Sequence, residues 1–352
     1  MWIDIPIYKE DMDYILNVPF IQWSDFKNTN ILITGGTGHI GSNIINALLY
    51  VDLKLNLNIN IYAVVRNLDK AQRMFQKQLD VSSSLHFYEG SVQHPISISK
   101  PIDYVIHCAS PTASLEINSQ PLQVIYSGVI GMVNLIEMVK NTGCKGFVYL
   151  SSMEAYGEIT SEHSLKEHML GYLDLQNVRN SYPETKRMCE MLVKSAFAEY
   201  NLPAKSIRLA QTFGPGIAKN DSRVFAMMAR CVINGDNIIL KTSGTSKHPY
   251  LYTSQAVTAI ISVLRYGENG KVYNAANPNT YCSIQEMAQF VCSEIAHSNI
   301  SVEFDLNSDI SIYPKPSFLN MDVSALCSLG WTYSGTLKDM YERMISCMQY
   351  DN

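Results

Sequence analysis

The stretch from Asn30 to Tyr50 does most to limit what this chain can fold into. A β-rich run, Ile31-Leu-Ile-Thr34, leads into Gly35-Gly-Thr-Gly-His-Ile-Gly41, and a helical pattern from Ser42 to Tyr50 follows at once. Glycines 36, 38 and 41 satisfy G-x-G-x-x-G, and glycines 35, 38 and 41 satisfy G-x-x-G-x-x-G. A turn without Cβ atoms lets backbone N–H groups and a helix N-terminus meet a pyrophosphate, and Gly41 permits close packing of helix on strand. The glycine pattern alone is weak, but here it sits in the strand-turn-helix context that a dinucleotide site requires.

The rest of the chain extends that context. Short β-rich runs at 31–34, 59–65, 85–88, 104–107, 147–150 and 205–209 alternate with helical patterns such as Gln123 to Lys140 and Glu184 to Tyr200. That alternation predicts right-handed βαβ units, hence an α/β fold with a Rossmann-type doubly wound parallel sheet. After Leu209 the rhythm changes: Phe213-Gly-Pro-Gly-Ile217, a helix over 223–234, a short strand over 237–241, a last core strand over 272–275 and a final helix from Leu337. The expected organisation is an N-terminal helical extension over 1–28 and a dinucleotide-binding core over 29–210 with a return segment over 252–277. A smaller substrate-binding lobe takes 211–251 and 278–352.

Composition excludes several partners. A net charge of −5 with no basic run leaves no electrostatic footprint for nucleic acid or an anionic membrane. The eight cysteines form no C-x-x-C pair and read as reduced core thiols. The start has no basic n-region followed by an apolar h-region, and no uninterrupted apolar run reaches spanning length, so the expectation is a soluble cytoplasmic protein with a small-molecule partner. His163 and His168 are five apart without H-E-x-x-H, so no metal is expected.

Candidate chemistry lies further on. Tyr182 and Lys186 stand four apart at the head of a helix and share one face. An ammonium beside a phenol favours phenolate, which makes Tyr182 a candidate general base for a hydroxyl. The second strand ends in Ala63-Val-Val-Arg66 where an NAD site commonly has an acid. Arg66 is open to three readings: a 2′-phosphate partner, which would mean NADP, a stacking partner for adenine, or a solvated charge.

Taken in order, T-G-G-T-G-H-I-G, H-C-A-S at 107–110, S-S-M-E-A-Y-G at 151–157, Y-P-E-T-K at 182–186 and R-L-A-Q-T-F-G-P-G at 208–216 resemble the extended short-chain dehydrogenases/reductases. The resemblance covers roughly 29–345 and is strongest to the NAD-dependent epimerase/dehydratase branch that acts on nucleotide sugars. It implies bound NAD, oxidation of the sugar at C4 to a transient ketone, and a homodimer through paired helices. Ser152 matches the Ser/Thr of the family triad, Tyr182 its base, and Lys186 the base's electrostatic and ribose-binding partner. Glu154 matches the glutamate that dehydratases use to remove the C5 proton. The resemblance puts Gly35, Gly38, His39, Ile40 and Gly41 on the phosphates, with Arg66, Ser91, Val92, Cys108, Ala109 and Ser110 along the cofactor cleft. Ser110, Met153, Gln211, Arg223 and His248 would face the substrate.

Three departures bear on the reaction. Met153 falls where some dehydratases carry an aspartic acid that protonates the leaving hydroxyl, and a thioether donates no proton. His248 replaces the arginine that commonly holds the substrate diphosphate; it reads either as a weaker anion contact and proton shuttle or as a surface-loop histidine. Gly128 stands where similar sequences have asparagine. With Met153 against dehydration and His248 against decarboxylation, the leading reading is an epimerase. The alternatives are a decarboxylase or 4,6-dehydratase, an NADPH-dependent carbonyl reductase, and a non-catalytic dinucleotide sensor, the last disfavoured by the intact Ser-Tyr-Lys set.

Overall fold

The computed structural model describes residues 4–112, 114–307 and 315–350. Its strands are β1 (Asn30–Thr34), β2 (Asn60–Val65), β3 (Leu85–Glu89), β4 (Tyr104–His107), β5 (Gly146–Ser152), β6 (Ala204–Leu209), β7 (Gln211–Phe213), β8 (Ile238–Leu240), β9 (Lys247–Tyr252), β10 (Val272–Ala275), β11 (Asn277–Ser283) and β12 (Val302–Phe304). Seven of them form one sheet in the order β3-β2-β1-β4-β5-β6-β10, with every neighbouring pair parallel. Helices cover both faces, so the central strands read as continuous apolar runs rather than alternating ones. The chain leaves β1 toward β2 on one side and returns through β4 on the other, and this reversal of strand order opens a crevice at the carboxyl ends of β1 and β4.

The smaller lobe has its own sheets. β9 pairs antiparallel with β11 and parallel with β7, and β8 pairs with β12. Phe213, Phe225, Tyr250 and Tyr341 centre a separate core, with Phe213 stacked on Phe225 at 4.7 Å between ring centroids.

Two segments pack across the expected divisions. The N-terminal extension is helical over Pro6–Asn17 and buries Tyr8, Met12 and Ile15, a stripe at helical spacing, in the same apolar core as β1 and the helices His39–Leu55 and Thr253–Tyr266. Trp331, within the stretch assigned to the small lobe, also belongs to the main core, where it is 1% exposed and its indole N–H donates to Gln255 O and Thr258 Oγ1.

The segment Pro121–Val139, within which the sequence pattern predicts a helix from Gln123, is long and apolar enough by length and composition to cross a membrane. Here it packs against the sheet through Met132, Leu135, Ile136 and Val139. It contains a π-helical turn over Tyr126–Ile130 that includes Gly128. A Cβ at Gly128 would lie 2.2 Å from Thr185 Cγ2, so glycine is what lets this helix approach Ser181–Tyr200, and an asparagine would not fit.

If the N-terminal helix is part of the core, Ile15→Ala should lower unfolding stability by about 2–5 kcal/mol, as large as a truncation in β1 such as Ile33→Ala. Equilibrium urea unfolding of the full chain checks this; a loss below about 0.5 kcal/mol, as for a surface change, would show a loosely attached segment.

Candidate active site

The crevice at β1 and β4 is built by backbone approach. Gly35 has φ +69°, and a Cβ there would lie 2.8 Å from Ala109 N; at Gly41 it would lie 2.3 Å from Gly35 O. At Gly36 a Cβ would meet Ile45 Cδ1 at 2.9 Å. The helix His39–Leu55 starts at Gly38 with no side-chain cap, which leaves its first-turn N–H groups facing the crevice. This uncapped helix end, in a cradle that side chains would fill, fits a dinucleotide pyrophosphate.

Across the crevice, Thr34 Oγ1 lies 2.7 Å from His107 Nδ1 and accepts from Ala109 N at 3.2 Å. Burial lowers His107 to about 3 and pushes the Cys108 thiol up to about 12, so both are neutral linings of the cleft. Ser110 is half-buried, its hydroxyl turned back to Pro111 O at 3.3 Å. Arg66 is exposed at the end of β2, and the next residue, Asn67, caps the following helix through Lys70 N. Ser91 Oγ accepts from Gln93 N, and Val92 packs in the core beneath the sheet.

β5 delivers the chemistry. The strand does not continue past Ser152: Ser152 Oγ accepts from Glu154 N at 3.2 Å and starts a 3₁₀ turn over Met153–Tyr156. Met153 is buried in the main core, while Glu154 remains partly open. The helix Ser181–Tyr200 places Tyr182 and Lys186 against this turn. Lys186 Nζ donates to Leu150 O at 2.8 Å and lies over the rings of Tyr149 and Tyr182 at 4.9 and 5.4 Å. Burial pushes the Tyr182 phenol well above its usual range and the charge of Glu154 adds to this, while Ser152, Arg179 and Arg223 act the other way. Burial also brings the Lys186 ammonium down to about 8, against the pull of Cys189 and Glu190.

Ser152, Glu154, Tyr182 and Lys186 are therefore gathered at one place. Arg223, at the head of the small-lobe helix Val224–Asn234, acts electrostatically on both Tyr182 and His39, although its guanidinium is paired with Asp221 at 2.6 Å. Gln211 stands in β7 with a buried Oε1 that has no hydrogen-bond partner. His248 lies in β9 rather than on a surface loop, its ring is 4.9 Å from that of Tyr250, and burial lowers it to about 4, which leaves it neutral near pH 7.

Sequence reading missed Arg179. It precedes the Ser181–Tyr200 helix in a 3₁₀ turn and forks onto Glu154, Nη2 meeting Oε1 at 3.1 Å and Nη1 pairing with Oε2. Arg179 is 4% exposed and Glu154 29%, so the pair sits at the wall of the site. An arginine three residues before a candidate tyrosine was the available signal. Among the described residues, no three His, Cys, Asp or Glu side chains gather as a metal site.

Fold and cradle together define a dinucleotide-dependent enzyme of the extended short-chain dehydrogenase/reductase type. Residues 31–276 match the model of the NAD dependent epimerase/dehydratase family, and the chain belongs to that family, with NAD as its cofactor. It is similar to UDP-glucuronic acid decarboxylase 3 of Arabidopsis thaliana, 25% identical over 80% of this chain and 78% of that protein. It is also similar to UDP-glucuronic acid decarboxylase 1 of Danio rerio, 25% identical over 79% of this chain and 63% of that protein. Among solved structures, UDP-N-acetylglucosamine 4-epimerase from Methanobrevibacter ruminantium superposes with a TM-score of 0.76 at 19% identity, covering 93% of this chain and 100% of that one. UDP-glucuronic acid 4-epimerase from Bacillus cereus, solved with UDP-glucuronic acid and NAD, gives 0.75 at 17% identity over 92% and 100%.

Two measurements probe this geometry. Arg179→Met leaves Glu154 without its fork and should lower turnover roughly 10- to 100-fold, the worth of a charge-assisted contact, in steady-state kinetics. Lys186 has a folded pKa near 8 and an ordinary value of 10.5, so between those pH values the unfolded chain binds more protons and stability rises with pH. Its burial cost is complete below about pH 8; Lys186→Met should therefore unfold at higher urea than wild type at pH 7, and the gap should shrink as the pH is raised toward 10.5.

Proposed function

We propose that this enzyme is a nucleotide-sugar 4-epimerase acting on a UDP-linked hexose, and that Ser152, Glu154, Tyr182 and Lys186 carry the reaction. The observation behind it is the gathering of Ser152, Glu154 and Lys186 around a buried Tyr182, beside a position 153 that holds no proton donor. NAD held in the Gly35–Gly41 cradle would supply a reversible hydride acceptor for C4. Tyr182 Oη takes the C4 hydroxyl proton and returns it, Ser152 holds the same oxygen, and the Lys186 ammonium favours the phenolate. Inversion at C4 needs one reversible proton shuttle and no second acid, whereas elimination of a hydroxyl needs a donor that Met153 cannot supply. Arg223 and Gln211 serve the diphosphate and sugar from the small lobe, and Arg66 rests on the adenine.

The UDP-glucuronic acid decarboxylases among the relatives favour a second reading, decarboxylation of a UDP-hexuronate. A ketone at C4 makes the C6 acid a β-keto acid; it loses carbon dioxide, the enolate left at C5 takes a proton, and return of the hydride and of a proton to the C4 ketone would complete the UDP-pentose. One experiment separates the two. Incubation with UDP-glucose, UDP-N-acetylglucosamine and UDP-glucuronic acid, read by proton NMR, gives a C4 epimer with all its carbons for the first reading and a UDP-pentose for the second. Tyr182→Phe should abolish turnover of whichever sugar reacts; if it keeps full turnover, the assignment of the base fails.

The assembly we propose is a cytoplasmic homodimer. Leu122, Ile125, Tyr126, Ile130 and Val133 on one helical run and Met188 and Met191 on Ser181–Tyr200 expose apolar side chains on neighbouring helices, and none of the eight cysteines is in a disulfide, which suits a reducing compartment. Ile130→Glu with Met191→Glu should convert the dimer to monomer in size-exclusion chromatography with light scattering; an unchanged mass would sink this face as the interface.

A further inference from the structure

The family match begins at residue 31, so it assigns nothing to the helix Pro6–Asn17. That helix reaches His39, the first residue of the phosphate-loop helix, from two sides. On one side the Tyr8 hydroxyl donates to Asn43 Oδ1 at 2.8 Å, and Asn43 Nδ2 donates to the His39 carbonyl at 2.8 Å. Tyr8 is itself fixed by Asn46 Nδ2 at 2.7 Å, and Asn46 Oδ1 accepts from Gln78 at 2.8 Å. On the other side, Asp11 accepts from the Tyr252 hydroxyl at 2.7 Å and from Arg343 Nη2 at 2.9 Å, and Arg343 Nε donates to Tyr252 at 2.7 Å. The next residue, Thr253, has its Oγ1 3.0 Å from His39 Nε2. Tyr8 and Asp11 are buried, and the second route also enters the small lobe, because Arg343 belongs to its last helix, Leu337–Tyr350.

We propose that the N-terminal helix is a positioning element for the cofactor site: Tyr8, through Asn43, and Asp11, through Tyr252 and Thr253, hold His39 and so fix the helix end that meets the NAD pyrophosphate. Buried hydrogen-bond networks of this kind specify one geometry, because any member displaced leaves a partner unsatisfied. A helix that only covered apolar surface would need the stripe of Met12 and Ile15 and would not need a buried hydroxyl bonded to Asn43 and Asn46 or a buried carboxylate bonded to Tyr252 and Arg343. The inference rests on NAD as the cofactor and on nothing about the sugar.

The test uses the full-length holoenzyme and follows exchange of bound NAD for isotopically labelled NAD, alongside the thermal unfolding midpoint. Tyr8→Phe and Asp11→Asn should release NAD about threefold to tenfold faster, the worth of roughly one hydrogen bond, because the phosphate loop is no longer held. Ile15→Ala, on the same helix but outside the network, should lower the midpoint at least as much and leave the exchange rate at the wild-type value. Wild-type exchange in Tyr8→Phe and Asp11→Asn, or equal acceleration in Ile15→Ala, would overturn the proposal and leave the helix a passive cover. Should Tyr8→Phe fail to fold, Asp11→Asn, which keeps the side-chain shape, decides alone. No turnover on any UDP-sugar would end the epimerase reading without touching this result.

Discussion

The arrangement of the site depends on one buried carboxylate, Glu190. It lies two helical turns beyond Tyr182 and accepts from Arg208 Nε at 2.9 Å and Nη2 at 2.7 Å, and from Ser151 Oγ at 2.5 Å. Ser151 is the β5 residue before Ser152, and Arg208 lies in β6, so one side chain ties two strands to the helix that carries the tyrosine and lysine. Arg208 also stacks over Tyr156 at 4.7 Å and donates to Glu167 O, which extends the tie to the end of the 3₁₀ turn. A buried ion pair adds little net stability over apolar packing, because desolvation offsets the attraction. What it supplies is register: a slip of one residue in the helix leaves a charge buried without its partner.

With the register fixed, burial decides the state of the reactive groups. Tyr182 and Lys186 are both driven toward their neutral forms by desolvation, the phenol upward and the ammonium down to about 8. The Lys186 ammonium lies 5.4 Å from the centroid of the Tyr182 ring, so a charge on either group is less costly with the other charged beside it. Arg187 supports the entrance in a different way, donating to Ala155 O at 2.8 Å, Tyr156 O at 3.1 Å and Gly171 O at 2.7 Å, which pins the insert after β5 to the same helix. The 3₁₀ turn and the segment after it are thus held from both sides, by Arg187 on the helix and by Arg208 of β6 and Asn274 of β10 on the sheet.

The main sheet was legible in the sequence because its signals are local. Glycines at 35, 36, 38 and 41, the apolar runs of β1 to β6 and the four-residue spacing of Tyr182 and Lys186 each declare themselves within a few residues. The small-lobe strands β7, β9, β11 and β12 were not identified; β9 contains Pro249, which argues against a strand, and β11 is broken by a register shift between Asn277 and Cys282. His248 was misplaced for this reason. Arg179 and the N-terminal helix depend on contacts distant in sequence, Arg179 with Glu154 and Asp11 with Arg343, and no period or motif encodes such pairings. Gly128 had a packing reason that only the approach of Thr185 reveals.

Position 153 shows how packing and chemistry are decided by one residue. Because Ser152 caps the turn, the chain leaves the extended geometry there, and the alternation that would send residues 152 and 154 to one face and 153 to the other no longer applies. Residue 154 is instead drawn to Arg179 at the rim, and residue 153 is pressed into the core at 5% exposure. A carboxylic acid in that place would have to be desolvated among apolar neighbours, a cost of several kcal/mol unless it stayed protonated or found a partner. Methionine avoids that cost, fills an irregular gap and leaves position 153 without a proton donor. The turn that secures the core thereby fits the proposed reaction, in which protons pass through Tyr182 and none is supplied from position 153.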